Sequence, residues 1–270
     1  MQFALVDNKK SKAEKGLNGI CSGCLEPVVA KCGDQKIHHW AHKGNKVCDN
    51  WWELETEWHR EWKNLFPIEW QENYLTDEKT GEKHFADILT SNGLIVEFQH
   101  SHINSEERNK RESFYKNMIW VVDGTRLIRD FPRLIKSMEE NFINTRVNGA
   151  ILLHFPDWSF PKNWCESKVP VLFDFHNFQD DLDPDNEYRN YLWCLLPEPV
   201  KSHAVLLIYK RDDFIKMVND NPMFLPMSPK QITDAFIVRG YSTNNPESNL
   251  RFAERLGTSE TGWKIRKNSL

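Results

Sequence analysis

Four of the chain's six cysteines, with three histidines among them, fall between positions 21 and 48, and this segment limits the fold more than any other. It reads GICSGCLEPVVAKCGDQKIHHWAHKGNKVCDN. Cys21-x2-Cys24 has the spacing of a metal knuckle, His39-x2-His42 begins fifteen residues after Cys24, and Cys48 follows six residues after His42. Zinc takes four thiolate or imidazole ligands in a tetrahedron, with chain that turns tightly at the knuckle. In a chain kept in a reducing compartment, clustered cysteines point to metal rather than to disulfides. The spacing assigns Cys21, Cys24 and His42 as zinc ligands and leaves Cys48 and His39 competing for the fourth place. Cys32 and His38 read as bystanders. Pro27 to Lys31 and Gln35 to Trp40 are expected to form a small hairpin about Gly33 and Asp34.

The compartment itself is read from the first residues. MQFALVDNKKSKAEKG places its charges after a short apolar run, so no signal peptide is expected and the cytoplasm is the default. No apolar run approaches the roughly 20 residues that span a bilayer, so no membrane partner is expected. A chain of 270 residues can bury a real core in one large or two small domains. Its net charge of −4 counts mildly against a nucleic-acid partner, although a local basic patch or bound divalent cations offset such a balance.

Two stretches beyond the cysteines carry carboxylates in a pattern. WWELETEWHREWKNLF, residues 51 to 66, has Glu55, His59 and Lys63 at i, i+4 and i+8, with Trp58, Trp62 and Leu65 on another flank, which predicts an amphipathic helix ended by Pro67. FADILTSNGLIVEFQHSH, residues 85 to 102, alternates as two strands about a turn, one strand holding Asp87 and the other Glu97 and Gln99. A three-residue loop, Ser91 to Gly93, sets Asp87 opposite Glu97 on one face; a two-residue Asn92-Gly93 turn sets them on opposite faces. Paired acids repel unless a cation sits between them, so a metal site requires the first register. Each stretch alone also has a plain structural reading, as a solvated helix face or a surface hairpin.

A strand is expected over Ile68 to Tyr74, a helix after Asn104 or Ser105 with Arg108, Arg111 and Tyr115 on one face, and a buried strand over 119–124, giving a βαβ crossover. Helix is expected over 125–143 and over Asp212 to Val218. Strands are expected over Ala150 to Phe155, Val169 to Phe175, Tyr191 to Leu196 and Ala204 to Tyr209.

Taken together, CSGC with HWAH, ETEWHREWK, HFADI, VEFQHSHI, RNKRESFY and IWVVDG resemble, in that order over residues 20 to about 125, the CoiA-like competence nuclease family, a branch of the PD-(D/E)XK superfamily. The resemblance implies an α/β or α+β fold: a restriction-endonuclease-like mixed sheet flanked by helices behind a small zinc-ribbon-like unit. It implies that Glu55, Asp87 and Glu97 hold Mg2+ or Mn2+, with His59, Lys63 and Gln99 in support; Glu57 competes with Glu55. The superfamily motif ends in lysine where Gln99 stands, and Lys63, two helical turns after Glu55, can supply that cation. The expected organisation is a zinc module over 1–50, a nuclease-like core over 51–145 and an α+β region of unassigned role over 146–270. The expected activity is metal-dependent hydrolysis of DNA in competence-, phage- or defence-related processing. A homodimer, or a protein partner bound through 146–270, would fit. The alternative is an inactive nuclease-fold module that binds nucleic acid or a protein.

Overall fold

Short runs of alternating polarity fill the first hundred residues, and nearly all of them become strands. In the computed structural model, residues 1–44, 48–51, 55–78, 80–145, 149–179, 186–200, 202–220 and 230–231 are described. The chain divides into two units, Met1–Ser101 and His102–Leu270.

The first unit begins with a hairpin that the sequence reading did not anticipate, β1 (Phe3–Val6) and β2 (Lys9–Lys12). Val6 pairs with Lys9, so the turn is the two residues Asp7 and Asn8, both at positive φ, as a tight hairpin demands. Strands β3 (Asn18–Ile20), β4 (Pro27–Lys31) and β5 (His39–His42) complete an antiparallel sheet in the order β2-β1-β3-β4-β5. The second arm of the cysteine-region hairpin therefore runs later than expected. Among the described residues, the buried apolar cluster on this sheet is small: Ala4, Ala13, Cys21, Val28 and Trp40. So small an apolar core does not stabilise a sheet by itself, which is where a metal or further packing must contribute.

Helix α1 (Glu57–Lys63) is shorter than the predicted one. Thr56 ends it on the N-terminal side, its Oγ1 accepting from His59 N at 3.3 Å, so Glu55 precedes the helix rather than riding on it. Trp58 and Trp62 are buried along one flank, with Trp62 stacked on Phe98 at 5.5 Å between ring centroids. A 3-10 turn at Ile68–Trp70 replaces the start of the expected strand, which runs instead as β6 (Gln71–Thr76). Strands β7 (Lys83–Leu89) and β8 (Ile95–Gln99) pair antiparallel, and β6 pairs antiparallel with β7. Ile88 faces Val96 and Leu89 faces Ile95, the register of the three-residue loop Ser91 to Gly93.

In the second unit, α2 (Ser105–Tyr115) is capped by Asn104, whose Oδ1 accepts from Glu107 N at 2.9 Å. After it come β9 (Met118–Asp123), α3 (Asp130–Asn141), β10 (Phe142–Asn144) and β11 (Ala150–Leu153). Two single-turn helices, α4 (Pro156–Ser159) and α5 (Lys162–Cys165), lead into β12 (Val171–Asp174), β13 (Tyr191–Leu195), β14 (Ala204–Lys210) and α6 (Arg211–Asp220). The strand order here is β10-β11-β14-β13-β12-β9, with β9 and β12 parallel and the other pairs antiparallel. β9 and β11 to β13 are buried throughout, which is why they read as continuous apolar runs. The fold is thus mixed α/β. No helix among the described residues is long and apolar enough to cross a membrane.

Candidate metal centre and acidic site

The β4–β5 hairpin pairs Val28 with His42 and so delivers His42 beside the knuckle. The knuckle turns at Leu25, which has a φ of +60° and donates its N–H to Cys21 O at 3.0 Å. One ligand atom from each of Cys21, Cys24, His42 and Cys48 lies within 4.8 Å of the others. Cys24 Sγ is 3.1 Å from His42 Nε2, and Cys21 Sγ is 3.8 Å from Cys48 Sγ. Burial and the neighbouring thiols push the Cys48 thiol well above its usual range, and burial pushes Cys21 up as well. A divalent cation would reverse that repulsion, since it stabilises the thiolates it binds. Three sulfurs and an imidazole are the donor set of a zinc site, so the cluster could hold a metal such as zinc.

Of the two candidates for the fourth place, His39 lies outside the cluster. It stands three residues before His42 on the same strand, and an odd offset points a strand side chain to the opposite face. Its Nδ1 is instead 2.8 Å from Ile37 O. Cys48 stands in the cluster instead.

The centre is braced on the acid-bearing hairpin. Asp49, next to Cys48, accepts from Phe85 N at 2.8 Å through Oδ2, while its Oδ1 lies 2.8 Å from both His84 Nδ1 and Trp51 N. The Trp51 ring stacks on His84. Gly23, inside the knuckle, lies so close to β6 and β7 that a Cβ there would meet the Tyr74 and Phe85 rings at 2.6 and 2.7 Å. The glycine is required by that approach, independently of its backbone angles.

Across β6, β7 and β8 the registers align three acids. Gln71 pairs with Ile88 and Asn73 with Ala86, which sets Glu72 opposite Asp87; one step beyond Ile88–Val96, Asp87 comes opposite Glu97. At that step side chains take over from the ladder, with Glu97 Oε1 accepting from Asp87 N and Asp87 Oδ2 from Phe98 N, both at 3.0 Å. The buried Lys63 of α1 reaches this row: its Nζ donates to Glu55 Oε1 and to Glu72 Oε1 (2.8 Å) and lies 3.8 Å from Asp87 Oδ1. His59 Nε2 is 2.9 Å from Asp87 Oδ2, and Arg60 Nε donates to Glu55 Oε2 at 3.0 Å. Burial raises the Asp87 carboxyl, but the adjacent His59 and Lys63 outweigh it and hold it below its ordinary value. Glu55 is lowered against its burial by Lys63 in the same way. Burial acts to lower the Lys63 ammonium, and Glu72, Glu55 and Asp87 reverse this, holding it above the usual lysine range.

The structure therefore brings together Glu55, His59, Lys63 and Asp87 from the sequence reading, and seats Glu97 beside Asp87. Glu57 is exposed on the first turn of α1, which favours Glu55 between the two. Gln99 is buried at the end of β8 and donates its amide to Ser101 O and Oγ at 3.2 Å. Glu97 is buried. Among the described residues, the Cys/His cluster is the one set of three or more Cys, His, Asp or Glu groups converging closely enough for a metal ion. Between Glu55 and Asp87 an ammonium, that of Lys63, balances the charge instead. Glu72 is the site residue that sequence reasoning missed. An acid in the polar run QENY carries no mark of its own until strand registers are known.

These features define a mixed α/β protein with an N-terminal Cys3His cluster and, in the same unit, a partly buried row of acids paired with a lysine. Residues 5–50 match the family model described as Competence protein CoiA, N-terminal domain, a span that contains all four cluster residues. No curated protein and no solved structure matches the chain.

Proposed function

We propose that the chain is a metal-dependent nuclease that hydrolyses DNA phosphodiester bonds in a competence-related role. The observation that carries this reading is the three-residue-loop register, which sets Asp87 and Glu97 side by side with Lys63 and His59 at Asp87. Carboxylate oxygens suit a hard cation such as Mg2+ or Mn2+, and Glu55, Asp87 and Glu97 would hold it. When bound, such an ion lowers the pKa of a water and offsets charge on the attacked phosphate. Lys63 supplies a fixed positive charge at the same place, the role that the motif lysine has in the superfamily and that Gln99 cannot fill. His59 orients the Asp87 carboxylate through its 2.9 Å contact. The competence-related role is supported by the family match over residues 5–50.

The inactive-module reading has one observation in its favour: the Lys63 ammonium already offsets the carboxylates that a metal would need, so the row is charge-compensated as it stands. Cleavage of plasmid and short duplex in Mg2+ or Mn2+ separates the two. Wild-type cleavage, abolished by EDTA and by Glu97→Ala or Asp87→Ala, is the expected result. A wild type that binds DNA without cutting it under either metal would overturn the nuclease reading.

A further inference from the structure

Glu72 stands where a strand residue ought to be ordinary, and it is not. Its neighbours Gln71 and Asn73 both pair with β7, yet Glu72 itself has a φ of +46°, a left-handed conformation that a glutamate adopts at a cost. The carboxylate so displaced is buried and fully engaged. Oε1 lies 2.8 Å from Lys63 Nζ and from Gln2 N, and Oε2 lies 2.9 Å from Gln2 N and 3.0 Å from Phe3 N. The two amides lie at the entry to β1, and they hold both carboxylate oxygens.

From this we propose that Glu72 is a positioning residue, holding the Lys63 ammonium at Asp87 so that a lysine on a helix serves an acid row whose own strand carries Gln99. The chain of contacts is β1 amides to Glu72, Glu72 to Lys63, and Lys63 to Asp87 at 3.8 Å. A long, flexible lysine delivered from another element reaches a defined point only if its head is held. Glu55 holds one side of that head, but it lies outside both the helix and the sheet; Glu72 belongs to β6, whose residues on either side of it pair with the strand that bears Asp87. The backbone strain at Glu72 has a use on this account, since it aims the carboxylate at Lys63.

The kinetic consequence rests on the nuclease reading; the placement of Lys63 does not, and the two are tested separately. Full-length wild type, Glu72→Gln and Glu72→Ala are treated with an amine-acylating reagent, and labelling at each lysine is read by mass spectrometry beside the thermal midpoint. In the folded variants Lys63 labelling should rise severalfold, with the lysines remote from Glu72 unchanged; Lys10, which donates to Gln71 O, is left out of that comparison. Lys63 labelling that stays at the wild-type level in folded variants overturns the proposal. Loss of the folded state in both variants also overturns it, in favour of a purely structural role. In the cleavage assay, Glu72→Gln should lower kcat by about tenfold or more with KM little changed, as expected when an interaction made in the transition state is lost. An active wild type whose kcat survives Glu72→Gln refutes the positioning role even if labelling rises. A wild type that does not cleave removes the nuclease reading and leaves the labelling arm to decide on Lys63 alone.

Discussion

Cys48 and His39 are separated by strand parity rather than by chemistry, since both are competent zinc ligands. The sequence spacing makes each a reasonable fourth ligand to Cys21, Cys24 and His42. Only the position of β5, which carries both histidines, shows that they face opposite ways. Cys48→Ser is therefore expected to lose the bound metal and lower the thermal midpoint, because metal-binding free energy is folding free energy in so small a unit. His39→Ala should keep a full equivalent of metal, read by elemental analysis of protein purified without chelator. Equal metal loss in both variants would return His39 to the ligand set. Asp87 and Glu97 were legible in the same partial way: alternation marked both acids, but the choice between two loop lengths decided whether they met. Glu72 was not legible, because its role depends on a third strand's register and on backbone amides seventy and sixty-nine residues away.

At the scale of elements, the buried apolar strands of the second unit were readable almost to the residue. A strand covered on both faces spells itself as a continuous apolar run, as in MIWVVD and AVLLIY. Helix α1 shows why the acid-bearing helix was overextended. The i, i+4, i+8 spacing of Glu55, His59 and Lys63 is real, and all three do reach one site. Thr56 nevertheless captures the His59 amide and starts the helix at Glu57, so Glu55 arrives from the preceding chain. A helix of seven residues is too short to persist by propensity, and it depends on its cap and on the burial of Trp58 and Trp62. Thr56→Ala should accordingly cost about 1 kcal/mol in urea unfolding, and Thr56→Ser much less. An unchanged midpoint for Thr56→Ala would mean that packing alone sets the start of the helix. The β1–β2 hairpin was missed for the opposite reason: KKSK is polar on both faces, and only the turn at Asp7-Asn8 marks it.

For the molecule as a whole, the buried ion pairs set how stability responds to pH. Burial raises the Asp49 carboxyl, but its bonds from His84, Phe85 and Trp51 reverse this and hold it below its ordinary value, as His59 and Lys63 do for Asp87 and Lys63 does for Glu55. A carboxyl depressed in the folded state is protonated more readily in the unfolded chain, so the unfolded state takes up protons first as pH falls. The stabilisation from these three groups is complete above the unfolded value of about 4 and is lost as pH drops through the folded values. Lys63, whose folded value is raised, contributes stability that is complete below the unfolded lysine value of about 10.4 and is lost on the alkaline side, as pH rises through the folded value. Asp130 opposes the acid trend, because burial raises its carboxyl and its protonation relieves a cost. Among the described residues the depressed carboxyls, which Glu106 joins through Lys110, outnumber the raised one, so acid is destabilising in sum. The urea midpoint should therefore hold level from neutral pH to about 5 and fall below it. Asp49→Asn removes one depressed group and should start from a lower midpoint at pH 7 with a shallower fall. A variant curve that runs parallel to the wild type through the acid limb would show that the Asp49–His84 contact contributes nothing to the pH dependence.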